Sequence, residues 1–199
     1  MIVTPIYYVG GTGGHFLSAL LNSAKINHQE PLNFSQYGHA HDTKYGINQP
    51  FNEHTLERLT TCSQNDLSFI STHSSVDFLL NNFDKLIVIK YDKSDIPEIA
   101  SSLVIKVAYT NGRPKEIISE RRNVASTVLS RSINQFTKMS SEKICYVCWK
   151  HLYKLEADLL IDMLHQYTNI PKENFNINSI HEWRRLTSMA IDKCNEFCP

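Results

Sequence analysis

Four glycines fall within five positions at Gly10-Gly11-Thr12-Gly13-Gly14. They follow a β-branched and aromatic run at residues 2–9. They precede Phe16, Leu17, Leu20, Leu21 and Ala24, which recur at helical spacing. A strand that runs through small residues into a helix turns backbone N–H groups into one concavity, and the helix N-terminus adds partial positive charge there. Phosphate or sulfate fits such a turn, and glycines keep side chains out of its way. Two familiar devices do not match: no Lys-Ser/Thr pair follows Gly14, and Phe16 stands where a G-x-G-x-x-G pattern needs its third glycine. A ligand-free glycine turn is the alternative reading.

A second group with chemistry to offer is His73, after the apolar run 67–72. A histidine at a strand end suits a general base, or it makes a single backbone hydrogen bond. His15, at the head of the first helix, is either a cation beside the turn or a partly exposed loop side chain.

The elements that must position these residues alternate strand and helix in the N-terminal half. A long surface loop is expected over residues 26–52, a candidate lid in which Tyr37 and Tyr45 either stack on a ring acceptor or pack the loop down. A short helix is expected at 53–61, a strand at 67–72, helical turns at 76–83, and a strand at 85–91 whose continuous apolar run suits the interior of a parallel sheet. Asp95-Ile96-Pro97-Glu98 reads as a helix start with Asp95 as N-cap. A turn at 111–114 precedes helices over 117–136 and 142–167. Ser179 and Glu182 form a capping box for a last helix with Ile180, Trp183, Leu186 and Ala190 on one face. The pattern predicts an α/β fold, one domain over residues 1–199, with a central parallel β-sheet flanked by helices and a mostly helical C-terminal half.

Composition sets limits. The 199 residues are 42% hydrophobic and 20% charged, with Lys+Arg and Asp+Glu at 20 each. A balanced chain has no overall field to recruit nucleic acid or an anionic membrane, and neither is expected as a partner. The N-terminus opens directly into a strand pattern, so no signal peptide is expected. Five cysteines without a disulfide-framework spacing imply a reducing, cytoplasmic setting.

The strand, the glycine/threonine turn and the Phe16-Leu17 helix head together resemble the 5′-phosphosulfate-binding loop of the sulfotransferases, which use 3′-phosphoadenosine 5′-phosphosulfate (PAPS) as donor. The segment Phe69-Ile70-Ser71-Thr72-His73 resembles that family's Lys-Thr-His-Leu-Pro segment. The strand ending at Lys90, with Ser101 and Ser102 on the helix after it, resembles the element that holds the donor's 3′-phosphate. These matches cover roughly the first half of the chain. The resemblance implies a three-layer P-loop-type domain that transfers a sulfuryl group from PAPS to a small-molecule or carbohydrate hydroxyl acceptor, leaving adenosine 3′,5′-bisphosphate (PAP), without a metal. It implies that Gly10, Gly11, Thr12, Gly13, Gly14 and His15 hold the phosphosulfate, that Lys90 with Ser101 or Ser102 holds the 3′-phosphate, and that His73 is the base. The family's loop lysine has no counterpart, since Gly11 stands there. Lys90 replaces an arginine. His15 is the candidate to stand in for the missing cation.

Rival readings are a P-loop nucleotide or small-molecule kinase, for which Asp92 is the nearest candidate magnesium ligand, and a non-catalytic anion-binding protein of the same fold. A four-thiolate zinc site from Cys145, Cys148, Cys194 and Cys198 is disfavoured because the first pair falls in the expected 142–167 helix. His39-x-His41-Asp42 lacks a separated third ligand. Arg121-Arg122 or Arg184-Arg185 are further candidate cations.

Overall fold

Strands buried on both faces read as continuous apolar runs, and the chain builds its sheet from such runs. The computed structural model describes residues 3–38, 40, 45, 47–48, 68–110, 117–136, 139 and 141–198. In chain order the elements begin with β1 (Thr4–Tyr7), α1 (Gly14–Lys25), β2 (Ile47–Asn48), β3 (Phe69–Thr72), α2 (Val76–Asn82) and β4 (Leu86–Lys90). They continue with α3 (Ile96–Thr110), α4 (Ile118–Phe136), β5 (Ile144–Cys148), α5 (Trp149–Lys154), α6 (Ala157–Thr168) and α7 (Ile177–Phe197). The sheet order is β2-β3-β1-β4-β5, and every described pairing is parallel.

Side-chain alternation sorts the core onto two faces. Ile6, Ile87 and Ile89 pack with Phe16, Leu17, Leu20 and Leu21 of α1 and with Leu160, Leu164 and Trp183. Tyr7, Ile70, Leu86 and Val88 face the other way, against Leu79 of α2, with Phe136 of α4 alongside. Helices therefore cover both faces of a parallel sheet, as the alternating pattern predicts. Among the described residues no helix is long and apolar enough to cross a membrane.

The expected helix over 142–167 is corrected. Its first part, Ile144-Cys145-Tyr146-Val147-Cys148, is β5, running in register beside β4 from Leu86↔Ile144 to Lys90↔Cys148. The run is apolar throughout, so the spacing of Ile144 and Cys148 to the residues after them matched a helix by coincidence, while an open edge of β4 supplied backbone partners. The remainder splits at Leu155 and Glu156 into α5 and α6.

One helix start holds and another shifts. α3 begins at Ile96, directly after Asp95, as expected, and Asp92 caps a 3-10 turn, Lys93–Asp95, that leads into it. Asp95 is the reciprocal partner in the box, its carboxylate accepting from the Asp92 N–H at 2.9 Å. Helix α7 is capped by Asn176, whose side chain accepts from the Ser179 N–H at 3.2 Å. Ser179 Oγ is spent elsewhere, accepting from the Leu32 N–H at 2.9 Å.

That bond belongs to a wider correction of the 26–52 loop. Its described part is pinned rather than a mobile cover: Leu32, Tyr37, Ala40 and Tyr45 are buried. Both tyrosines pack the loop down, Tyr37 against Val104, Ile105 and Ala108 and Tyr45 with Ala19 and Leu32. Asn22 of α1 ties loop and sheet together. It donates to the carbonyls of Tyr45 and Phe69 at 2.9 and 2.8 Å and accepts from the N–H groups of Ser68 and Phe69 at 3.0 and 2.9 Å. The expected helix at 53–61, the turn at 111–114 and the group His39, His41 and Asp42 lie outside the described residues.

Candidate functional site

The glycine segment forms a tight turn at the carboxyl end of β1. Thr12 N–H donates to the Val9 carbonyl at 3.1 Å, and the Thr12 hydroxyl donates to the same oxygen at 2.7 Å. The Thr12 hydroxyl hydrogen thus holds the turn shut rather than facing a ligand. Gly13 is the N-cap of α1 with φ +89°, a left-handed conformation that disfavours any residue with a Cβ. Gly14 is glycine for a different reason: a methyl there would overlap the Tyr8 ring. Leu17 N–H, donating to the Gly13 carbonyl at 2.9 Å, begins the helical ladder, so the N–H groups of Gly14, His15 and Phe16 form the open N-terminus of α1 beside the cleft.

Sheet register brings His73 to the same place. Tyr7 pairs with Thr72, and the next residues, Tyr8 and His73, meet side by side beyond the sheet. His73 Nδ1 lies 2.8 Å from the Tyr8 carbonyl oxygen, and the two rings sit 4.1 Å apart. A carbonyl only accepts, so Nδ1 carries the hydrogen and the neutral ring holds its lone pair on Nε2. His15 approaches Tyr8 from the other side, its Nε2 sharing a hydrogen bond with the phenol oxygen. Burial pushes the Tyr8 phenol up, so it remains a neutral platform for both histidines.

Gly10, Gly11, Gly13, Gly14, His15 and His73 share one cleft of about 220 Å³. Its far wall comes from residues that sequence reasoning missed: Leu103 and Lys106 of α3 and Trp183 of α7. A Cβ on Gly11 would meet Leu103 Cβ at 2.9 Å, and one on Gly13 would meet the Trp183 ring at 3.1 Å, so helix and indole close directly onto the turn. Lys106 is 7% exposed, donates to Thr187 Oγ1 at 3.2 Å and lies 5.3 Å from the Trp183 ring centroid. Burial pushes its amine down to about 7. The signal was present in the sequence: Lys106 is the one charged residue in the run Leu103-Val104-Ile105-Lys106-Val107-Ala108, on the same helical face as Ile99 and Leu103.

The structure does not bring the other expected residues here. Lys90 follows Val88 on the opposite face of β4, and its ammonium lies 4.8 Å from the Tyr146 ring. Ser101 Oγ donates to the Pro97 carbonyl at 2.7 Å, and Ser102 is fully buried; neither lines the cleft. Arg184 donates to the carbonyls of Leu152 and His151, Arg185 pairs with Glu182, and Arg122 reaches the Cys198 carbonyl. Asp92 pairs with Lys150 at 3.2 Å. Cys145 and Cys148 lie on β5 and Cys194 and Cys198 at the end of α7, all as free thiols, and burial pushes Cys145 up to about 11.

What the arrangement can do is hold an oxyanion at the turn, with a base and a cation lining the same cleft. No protein-family model matches this chain, and no curated protein is significantly similar to it.

Proposed function

We propose that this protein is a sulfotransferase-like enzyme with a P-loop-type fold, transferring a sulfuryl group from PAPS to a hydroxyl acceptor. The observation that carries the reading is His73 beside the glycine turn, with Nε2 as its basic nitrogen. In open parallel sheets ligands sit beyond the carboxyl ends of the strands where connections diverge. Here β1, which leads toward β2 and β3, lies next to β4, which leads toward β5, and the turn stands at that point.

In the step itself, His73 Nε2 takes the acceptor hydroxyl proton and the acceptor oxygen attacks sulfur. The bond between sulfur and the bridging oxygen breaks, and PAP leaves with the bond's electron pair. Transfers of this kind ask mainly for positioning and charge stabilisation, which turn N–H groups can supply. At about 220 Å³ the cleft is smaller than the ~300–1,000 Å³ of pockets that enclose whole ligands. It fits the phosphosulfate end and leaves the nucleoside outside. Free thiols at the described cysteines suit a reducing, cytoplasmic setting.

One observation favours a second reading, a non-catalytic anion-binding protein: Gly11 stands where the family's loop lysine belongs, and the turn cannot hold a side chain there. Thermal stabilisation by PAP, compared with ADP plus magnesium, separates the readings. A shift with PAP together with labelled-sulfate transfer supports the enzyme. A shift with PAP but no transfer supports the binding protein, and a shift with ADP alone supports a kinase.

A further inference from the structure

We propose that Lys106 is the cation that contacts the donor's phosphosulfate group, entering from α3 instead of from the glycine turn. The identity of the donor rests on the sulfotransferase reading above; the placement of the cation rests on geometry. Position 11, where the resemblance looks for a lysine, cannot carry one. Gly11 has φ +87°, and a Cβ there would sit 2.9 Å from Leu103 Cβ and 3.2 Å from the Ile99 carbonyl oxygen. The contact that excludes a side chain from the turn is made by α3, and the same face of α3, one turn further on, carries Lys106 into the cleft.

Trp183 links the two. Its indole edge closes on Gly13, and its face lies 5.3 Å beneath the Lys106 ammonium. An anion seated on the turn therefore has the indole as one wall and the ammonium above it. The Thr187 hydroxyl, accepting at 3.2 Å, aims the lysine along that wall. A buried ammonium costs stability that an apolar side chain of similar length would not, and here that cost falls where helix N-terminus and cation converge. As the bond to sulfur breaks, negative charge grows on the bridging oxygen, and the ammonium stabilises it.

Calorimetric titration with inorganic pyrophosphate, a probe the size of the phosphosulfate end, tests this on the full chain. Lys106→Met should weaken binding at least tenfold, and Lys106→Gln, kept as a second variant should the first misfold, should do the same. Lys85→Met, at the opposite end of the sheet, should bind as wild type. Melting curves confirm that each variant is folded. Folded Lys106 variants that bind within twofold of wild type overturn the inference, as does a wild-type chain that binds no pyrophosphate. The two readings fail separately. Lys106-dependent pyrophosphate binding without sulfuryl transfer sinks only the sulfotransferase assignment. Sulfuryl transfer that survives Lys106→Met with unchanged kcat and donor KM sinks only the role of Lys106.

Discussion

His73 hydrogen-bonds through Nδ1 to the carbonyl oxygen of Tyr8 at 2.8 Å, with the two rings 4.1 Å apart. The contact fixes which nitrogen is basic without burying the side chain, which stays exposed to an incoming acceptor. His73→Ala should lower sulfuryl transfer by about 10²–10⁴-fold, while PAP affinity stays within about twofold because the residue faces the acceptor side. Single-turnover transfer of labelled sulfate, alongside calorimetry with PAP, checks both halves. Unchanged turnover removes His73 from the role.

Gly14 and Tyr8 form the close contact on which both histidines depend. Gly14→Ala should cost about 1–3 kcal/mol, since the ring must move to admit a methyl. It should also weaken anion binding, because His15, expected to hold the phosphosulfate, rests on that ring. Urea denaturation gives the first number and pyrophosphate titration the second; a variant as stable as wild type would show that Tyr8 yields freely.

Asn22 carries a structural prediction remote from the chemistry. Replacing it with leucine leaves the N–H groups of Ser68 and Phe69 without their described acceptor inside the core. Buried donors stranded in this way cost about 1–3 kcal/mol each, so a loss of about 2–6 kcal/mol is expected in equilibrium unfolding. A loss below 1 kcal/mol would mean that the loop and β3 are held by other contacts.

Lys106 links stability to pH. Its amine titrates near 7 when folded and near 10.5 in the unfolded chain, so between these values the unfolded state binds the extra proton. Stability then rises with pH across this window, by at most about 1.4 kcal/mol per unit. Below pH 7 both states are protonated and the full cost of the buried charge remains. The difference in unfolding free energy between wild type and Lys106→Met, followed from pH 7 to 10, isolates this slope because contributions shared by the two proteins cancel. A flat difference would mean that the amine is solvated when folded.

The glycine turn, β3 and β4 were legible in the sequence because each is a local signal: clustered glycines, or an unbroken apolar run. His73 was legible for the same reason. The far wall was not, since it depends on which helix leans on the turn, a matter of tertiary packing. Lys90 follows Val88 onto the face of β4 opposite Ile87 and Ile89, because a strand of alternating side chains fixes orientation by parity rather than by proximity. β5 was misread because a five-residue apolar stretch satisfies either period, and only the open edge of β4 decides between them.

The contact between Gly13 and Trp183 joins positions 170 residues apart in a chain of 199. On the ribosome the turn emerges early, yet the indole that walls it arrives only with the last described helix. A nascent chain can build β1, β3 and β4 long before it has a cleft, and contacts of such sequence separation slow folding. Ligand-binding competence should therefore arrive only after α7 has been made, well after the sheet, and be an early property to vanish if α7 peels away.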